Sequence, residues 1–173
     1  MPGVRFRRRQ QVVDTAEASP LGVAATRRGE DVIRMVTDAV RRRSVLLAFQ
    51  PVVQTGGQRG IAFYEALIRV TDKRGTIIPA REFFSVVETM EVGRELDCLA
   101  LGMGFDALAQ DPTLRLSINM SARSIGYPPF IRALNQGLLR CPTGAERLIL
   151  EISEASAMMM PELQVPNPDP SRT

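Results

Sequence analysis

Three short runs constrain this chain more than any other feature. They are "IAFYEALIRV" (61–70), "LRLSINMS" (114–121) and "RLILEIS" (147–153), separated by stretches long enough for helices. In an extended strand, side chains alternate between two faces. In "FYEALIRV", Phe63, Glu65, Leu67 and Arg69 then share one face, and Tyr64, Ala66, Ile68 and Val70 the other. In the second run, Leu114, Leu116, Ile118 and Met120 oppose Ser117, Asn119 and Ser121. In the third, Leu148, Leu150 and Ile152 oppose Ile149, Glu151 and Ser153. Each run has an apolar back and a polar group toward its C-terminal end. A surface strand and a strand lining a site both fit that description.

The intervening segments supply the topology. "RGEDVIRMVTDAVRRR" (28–43) has helical spacing, with acids early and arginines late as the helix dipole favours. "SVLLAFQPVV" (44–53) reads as a strand, and "QTGGQRG" (54–60) as the turn joining it to 61–70 in a hairpin. "TDKRGTI" reads as a further turn, and Pro79 opens a helical region. Residues 80–110 read as one or two helices with a break near Gly93, and 128–140 as a helix with proline at its start. Residues 156–163 begin another. Strands alternating with helices imply parallel pairing and right-handed crossovers. Residues 1–28 read as a flexible basic arm, 29–163 as one domain, and 164–173 as a disordered tail, because proline recurs at every second position from Pro166.

Composition excludes several chemistries. The chain has no histidine, so no site here uses imidazole as base or ligand. Oxygen donors favour Mg²⁺, Mn²⁺ or Ca²⁺. Cys98 and Cys141 are far apart without a CxxC partner, so buried free thiols in a reduced, cytoplasmic setting are expected. No apolar run is long enough to span a membrane, and the N-terminus lacks the apolar core of a secretory signal. The net charge of +3 sits in the first 45 residues, which carry 10 Arg against 5 acids. "RFRRRQ" (5–10) suits phosphates or an anionic surface, but a solvated tail explains it as well, and no nucleic-acid partner is expected.

In parallel α/β sheets and barrels, ligand sites gather at the C-terminal ends of the strands. Glu65, Asn119 and Glu151 lie on matching faces near such ends, and two carboxylates with an amide oxygen form a hard-metal donor set. Each residue also fits a structural role: a strand carboxylate paired with Arg69, a strand-end amide, and an edge charge.

"FQPVV" (49–53), "YEALIR" (64–69), "LSINMS" (116–121) and "LEISE" (150–154), in this order and spacing, resemble the EAL domain, as do "GTIIPAREFFSVVE" and "LDCLAL". The resemblance covers roughly residues 30–163. It implies an α/β fold: a partial (β/α) TIM-like barrel with an antiparallel first strand, incomplete at the C-terminus. It implies bacterial cyclic di-GMP signalling through a metal-dependent phosphodiesterase that yields linear pGpG, with metal ions activating water for in-line attack. Glu65, Asn119 and Glu151 match metal ligands, for Mg²⁺ or Mn²⁺. Arg69, Gln50 and Leu67 match the nucleotide-binding pocket, Arg69 because a guanidinium fork fits phosphate oxygens. Glu154 matches a glutamate supporting a later active-site loop.

The family pattern continues with an Asp-Asp-Phe motif and later Lys, Glu and Gln residues that have no counterpart here. The one lysine is Lys73, in an early turn. The expectation is a truncated domain, through a frameshift or premature end, that is catalytically inactive alone. The alternative is a degenerate cyclic di-GMP-binding or protein-interaction module. Open barrel edges then predict self-association or a partner chain.

Overall fold

A computed structural model describes residues 20–55 and 60–158. The first helix, α1, runs Pro20–Arg41 and so begins well before residue 28. Residues 20–28 are helical rather than part of an arm. Proline is tolerated in a first turn, and Leu21, Ala24 and Ala25 are good helix formers. Val36 and Ala39 of its later half are fully buried, with Val32, Ile33, Met35 and Val40 packed around them. Residues 1–19 and 159–173, including the expected arm and tail, lie outside the described residues.

β1 (Val45–Val53) and β2 (Ile61–Thr71) form the expected antiparallel hairpin, with Gln50 opposite Glu65 and Leu46 opposite Arg69. The segment read as a plain turn contains a short strand, β3 (Ile77–Pro79), antiparallel to the end of β2. Asp72 builds that turn by accepting the backbone N–H groups of Arg74 and Thr76, both at 2.8 Å. Gly75 supplies the left-handed residue it needs, at φ 83°.

After a 3-10 turn at Ala80–Glu82 come α2 (Phe84–Val87) and α3 (Glu91–Gln110). The break therefore falls at residues 88–90, where Met90 is extended, and not near Gly93. Gly93 lies inside α3, and a Cβ there would sit 2.4 Å from the Val87 carbonyl oxygen. The glycine serves a close approach of backbone to backbone, which sequence alone renders as a helix breaker.

β4 (Leu116–Met120), α4 (Pro128–Arg140), β5 (Leu148–Ile152) and α5 (Glu154–Met158) complete the chain. The sheet order is β1-β2-β4-β5, with β3 also on β2. β2, β4 and β5 are parallel. This is the expected partial β/α barrel with an antiparallel first strand. Among the described residues, the outer edges of β1 and β5 have no strand partner.

Two apolar clusters hold the sheet to its helices. One joins Leu101, Phe105 and Leu108 of α3 to Leu116 and Ile118 of β4 and Phe130 of α4. The second joins Val36, Val70, Phe83, Val87 and Leu96. At the N-terminal end of the strands, Arg147 ties three segments together. Its guanidinium donates to the carbonyls of Leu108, Asp111 and Leu114 and to Thr143 Oγ1, each at 3.0 Å. It thereby satisfies carbonyls at the end of α3 that have no helical partner. Arg147→Ala is expected to destabilise the chain by about 3 kcal/mol, since carbonyls that lose a charged donor are left partly buried. Arg147→Lys should recover only part of this, because one ammonium cannot span the fork. Urea unfolding of the three proteins checks it, and an unchanged midpoint for the alanine variant would refute it.

Candidate functional site

The strand registers place the candidate residues. Gln50 pairs with Glu65, and Glu65 pairs with Ser117, so these three share one face in one row. Asn119 pairs with Glu151 one row further along. Leu116, Ile118 and Met120 are buried on the opposite face against the helices. The alternation read from the sequence thus separates core from site on β4, whereas Leu150 and Ile152 on the apolar face of β5 are exposed.

Asn119 Nδ2 donates to Glu65 Oε1 at 2.7 Å, which joins β2 to β4 across the site face. Glu65 is half-buried and makes no pair with Arg69. Arg69 instead donates from Nη1 to the Ile68 carbonyl at 3.1 Å. Glu151 is half-buried and Gln50 exposed, and among the described residues neither makes a side-chain hydrogen bond or ion pair. Leu67 is half-buried and borders a cleft of about 300 Å³ also lined by Phe84, Asp97, Ala100, Asn119 and Ser153. Glu154 lies in α5, with its side chain outside the described residues.

Whether these groups suit a divalent cation is decided by the donors present. No three His, Cys, Asp or Glu residues cluster among the described residues. The set is instead two carboxylates and one amide on adjacent parallel strands, an all-oxygen set that suits a hard cation. Ser117 lies in the row of Glu65, and its Oγ is fully buried with no hydrogen-bond partner among the described residues. The residues fit such an ion. Lys73 stands apart, paired with Asp38 of α1 at 2.7 Å.

The structure adds a polar network that strand patterns do not reveal. Asp97 of α3 is buried, and its Oδ2 accepts Ser121 N–H at 3.0 Å and Ser124 Oγ–H at 2.6 Å. Ser156 Oγ accepts the Ala122 N–H at 2.9 Å. α3, the turn after β4 and α5 are thus tied together beside Asn119. The sequence signals were an acid inside the apolar "LDCLAL" and the serines of "SARS". Helical and strand periodicity does not pair residues so far apart. Burial raises the Asp97 carboxyl to about 6, against the opposing effect of its two donors, and nearby Glu88 adds to the rise.

A sequence profile of the EAL domain matches residues 33–165. Among solved structures, the FimX EAL domain from Pseudomonas aeruginosa bound to c-di-GMP is 27% identical with a TM-score of 0.64. The alignment covers 75% of this chain and 52% of that one. The Xanthomonas citri FimX EAL domain in complex with c-di-GMP is 20% identical, also at a TM-score of 0.64, covering 79% and 54%. An uncharacterised 76.5 kDa protein from the phbC 3′ region of Thiocystis violacea is 32% identical over 104 residues, which are 57% of this chain and 15% of that protein. The chain thus spans about half the length of the solved relatives it matches.

Asp97 predicts a pH dependence. Its folded pKa lies above the ordinary value of 3.8, so its favourable contribution is complete below pH 3.8 and is lost as pH rises through about 6. The full loss is about 3 kcal/mol. Asp97→Asn keeps an acceptor oxygen and cannot ionise. Urea unfolding at pH 4 and pH 7 should show wild type losing stability relative to the variant by about that amount. Parallel behaviour of the two proteins would exclude this role for Asp97.

Proposed function

The chain belongs to the EAL domain family, and from that premise we propose that it is the ligand- and metal-holding N-terminal part of a cyclic di-GMP phosphodiesterase domain. The observation that carries this reading is the Asn119–Glu65 hydrogen bond, which gathers the two strand-end donors on the face that also bears Gln50. A domain end near residue 163 belongs to the same proposal, as does a role for Glu154 in supporting a neighbouring loop.

In this reading Glu65, Asn119 and Glu151 hold a Mg²⁺ or Mn²⁺ ion. A divalent cation so held supplies Lewis-acid stabilisation of the phosphoryl oxygens and lowers the pKa of water. Arg69 contributes a fixed positive fork for a phosphate of the nucleotide, and Gln50 and Leu67 flank it. A solved relative, the Pseudomonas aeruginosa FimX EAL domain bound to c-di-GMP, supports that choice of ligand.

The residues of this chain supply less than hydrolysis needs. Water attack at phosphorus requires a group to take or orient a proton. The chain has no histidine, Lys73 is engaged on α1, and in this reading Glu65 and Glu151 are committed to the cation. We therefore propose that these 173 residues bind cyclic di-GMP and hydrolyse it far more slowly than a whole EAL domain. The edges of β1 and β5, which have no strand partner among the described residues, would then accept a further chain, either a second copy or a partner, since open strand edges offer a row of unpaired donors and acceptors. No helix among the described residues is long and apolar enough to cross a membrane. A cytoplasmic location is also proposed, supported by the two free cysteines.

Equilibrium dialysis of the chain against cyclic di-GMP with Mg²⁺, followed by chromatography of the nucleotide, tests this. Intact nucleotide should be enriched on the protein side, and Arg69→Ala should weaken binding about tenfold or more. Linear pGpG formed at the rate of a whole EAL enzyme would overturn the proposed lack of turnover. No enrichment would overturn the binding reading.

A further inference from the structure

The buried hydroxyl of Ser117 has no place in the ligand set assigned above, and the fold gives it a specific neighbour. Among the described residues, two buried side-chain atoms lack a hydrogen-bond partner: Arg94 Nε on α3 and Ser117 Oγ on β4. Ser117 is fully buried. Leaving a buried hydroxyl unpaired is costly, which makes such a group informative when it lies beside a site.

Register identifies what it lies beside. Ser117 pairs with Glu65 on one side and Ile149 on the other. Adjacent strands lie about 4.8 Å apart, so side chains in one row of one face are direct neighbours. Ile149 offers no polar atom. Of the two, Glu65 alone offers an acceptor. One oxygen of its carboxylate already receives Asn119 Nδ2 at 2.7 Å. A carboxylate that binds a cation through one oxygen is oriented by donors to its remaining lone pairs, and losing such a donor typically costs about 10- to 100-fold in metal affinity.

We propose that Ser117 is a positioning residue for the cation site: its hydroxyl donates to Glu65 and fixes that carboxylate in its metal-holding orientation. The inference rests on the cation-holding role proposed above for Glu65. It predicts an unusual pair of effects. Among the described residues the hydroxyl has no partner, so removing it is expected to cost no folding stability. With metal it matters.

The test is Mn²⁺ titration of the whole chain, with free Mn²⁺ read by electron paramagnetic resonance, together with metal-free melting. Wild type, Glu65→Gln, Ser117→Ala and Ser117→Thr are compared. Wild type is expected to bind Mn²⁺ and Glu65→Gln to lose it. Ser117→Ala should bind about tenfold more weakly while melting no lower than wild type without metal. Ser117→Thr, which keeps the hydroxyl, should bind more tightly than Ser117→Ala. Equal Mn²⁺ affinity in Ser117→Ala and wild type, with Glu65→Gln defective, overturns the role of Ser117 and leaves the cation site standing. A markedly lower metal-free melting temperature for Ser117→Ala overturns it too, by showing a structural partner for the hydroxyl. Absence of Mn²⁺ binding by wild type overturns both this inference and the reading on which it rests.

Discussion

The parallel register of β2, β4 and β5 is the constraint on which the rest of the structure depends. A slip of one residue in either pairing would turn every side chain of the slipped strand to the other face. Leu116, Ile118 and Met120 would leave the core they share with α3 and α4, and Asn119 would leave Glu65. Core and site are therefore two readings of one hydrogen-bond ladder. The apolar back holds the register because burial specifies it, and the polar front inherits its geometry from that choice. This explains how two half-buried acids and an amide are held together on a sheet whose outer strands have no further partner among the described residues.

What fixes the strand ends is polar and lies outside the sheet. At the N-terminal end, Arg147 gathers the last turn of α3, the approach to β4 and the loop before β5. At the other end, buried Asp97 receives the backbone and a hydroxyl of the turn after β4, while Ser156 of α5 receives that turn's next N–H. Asn119 thus sits in a strand clamped at both ends. The upper clamp includes a carboxyl that burial holds partly protonated near neutral pH, so rigidity there has an electrostatic cost.

The site differs from a simple acidic cluster. Its donors are spread over three strands, with one contact, Asn119 to Glu65, linking two of them directly. Arg69 does not neutralise Glu65, which leaves the carboxylate available to a cation and the guanidinium to an anion. Opposite charges on one strand face that do not pair with each other suit a ligand carrying both a metal and a phosphate.

Alternation of two, read directly from the residues, determined the strand faces, the hairpin and the matching positions of Glu65, Asn119 and Glu151. It did so because burial on one side of a sheet leaves a period in the sequence. The ordered motifs determined the family. The errors have local causes. Residues 20–28 lack an apolar stripe, so nothing in them announced that α1 begins at Pro20. Gly93 looked like a break because the Val87 carbonyl it admits lies in a different helical segment. Tertiary structure alone decided that Arg69 bonds the Ile68 carbonyl and not Glu65, that Asp97 anchors the turn after β4, and that the Ser117 hydroxyl is buried in the row of Glu65. Each depends on contact between segments distant in sequence, and such contacts leave no period to read.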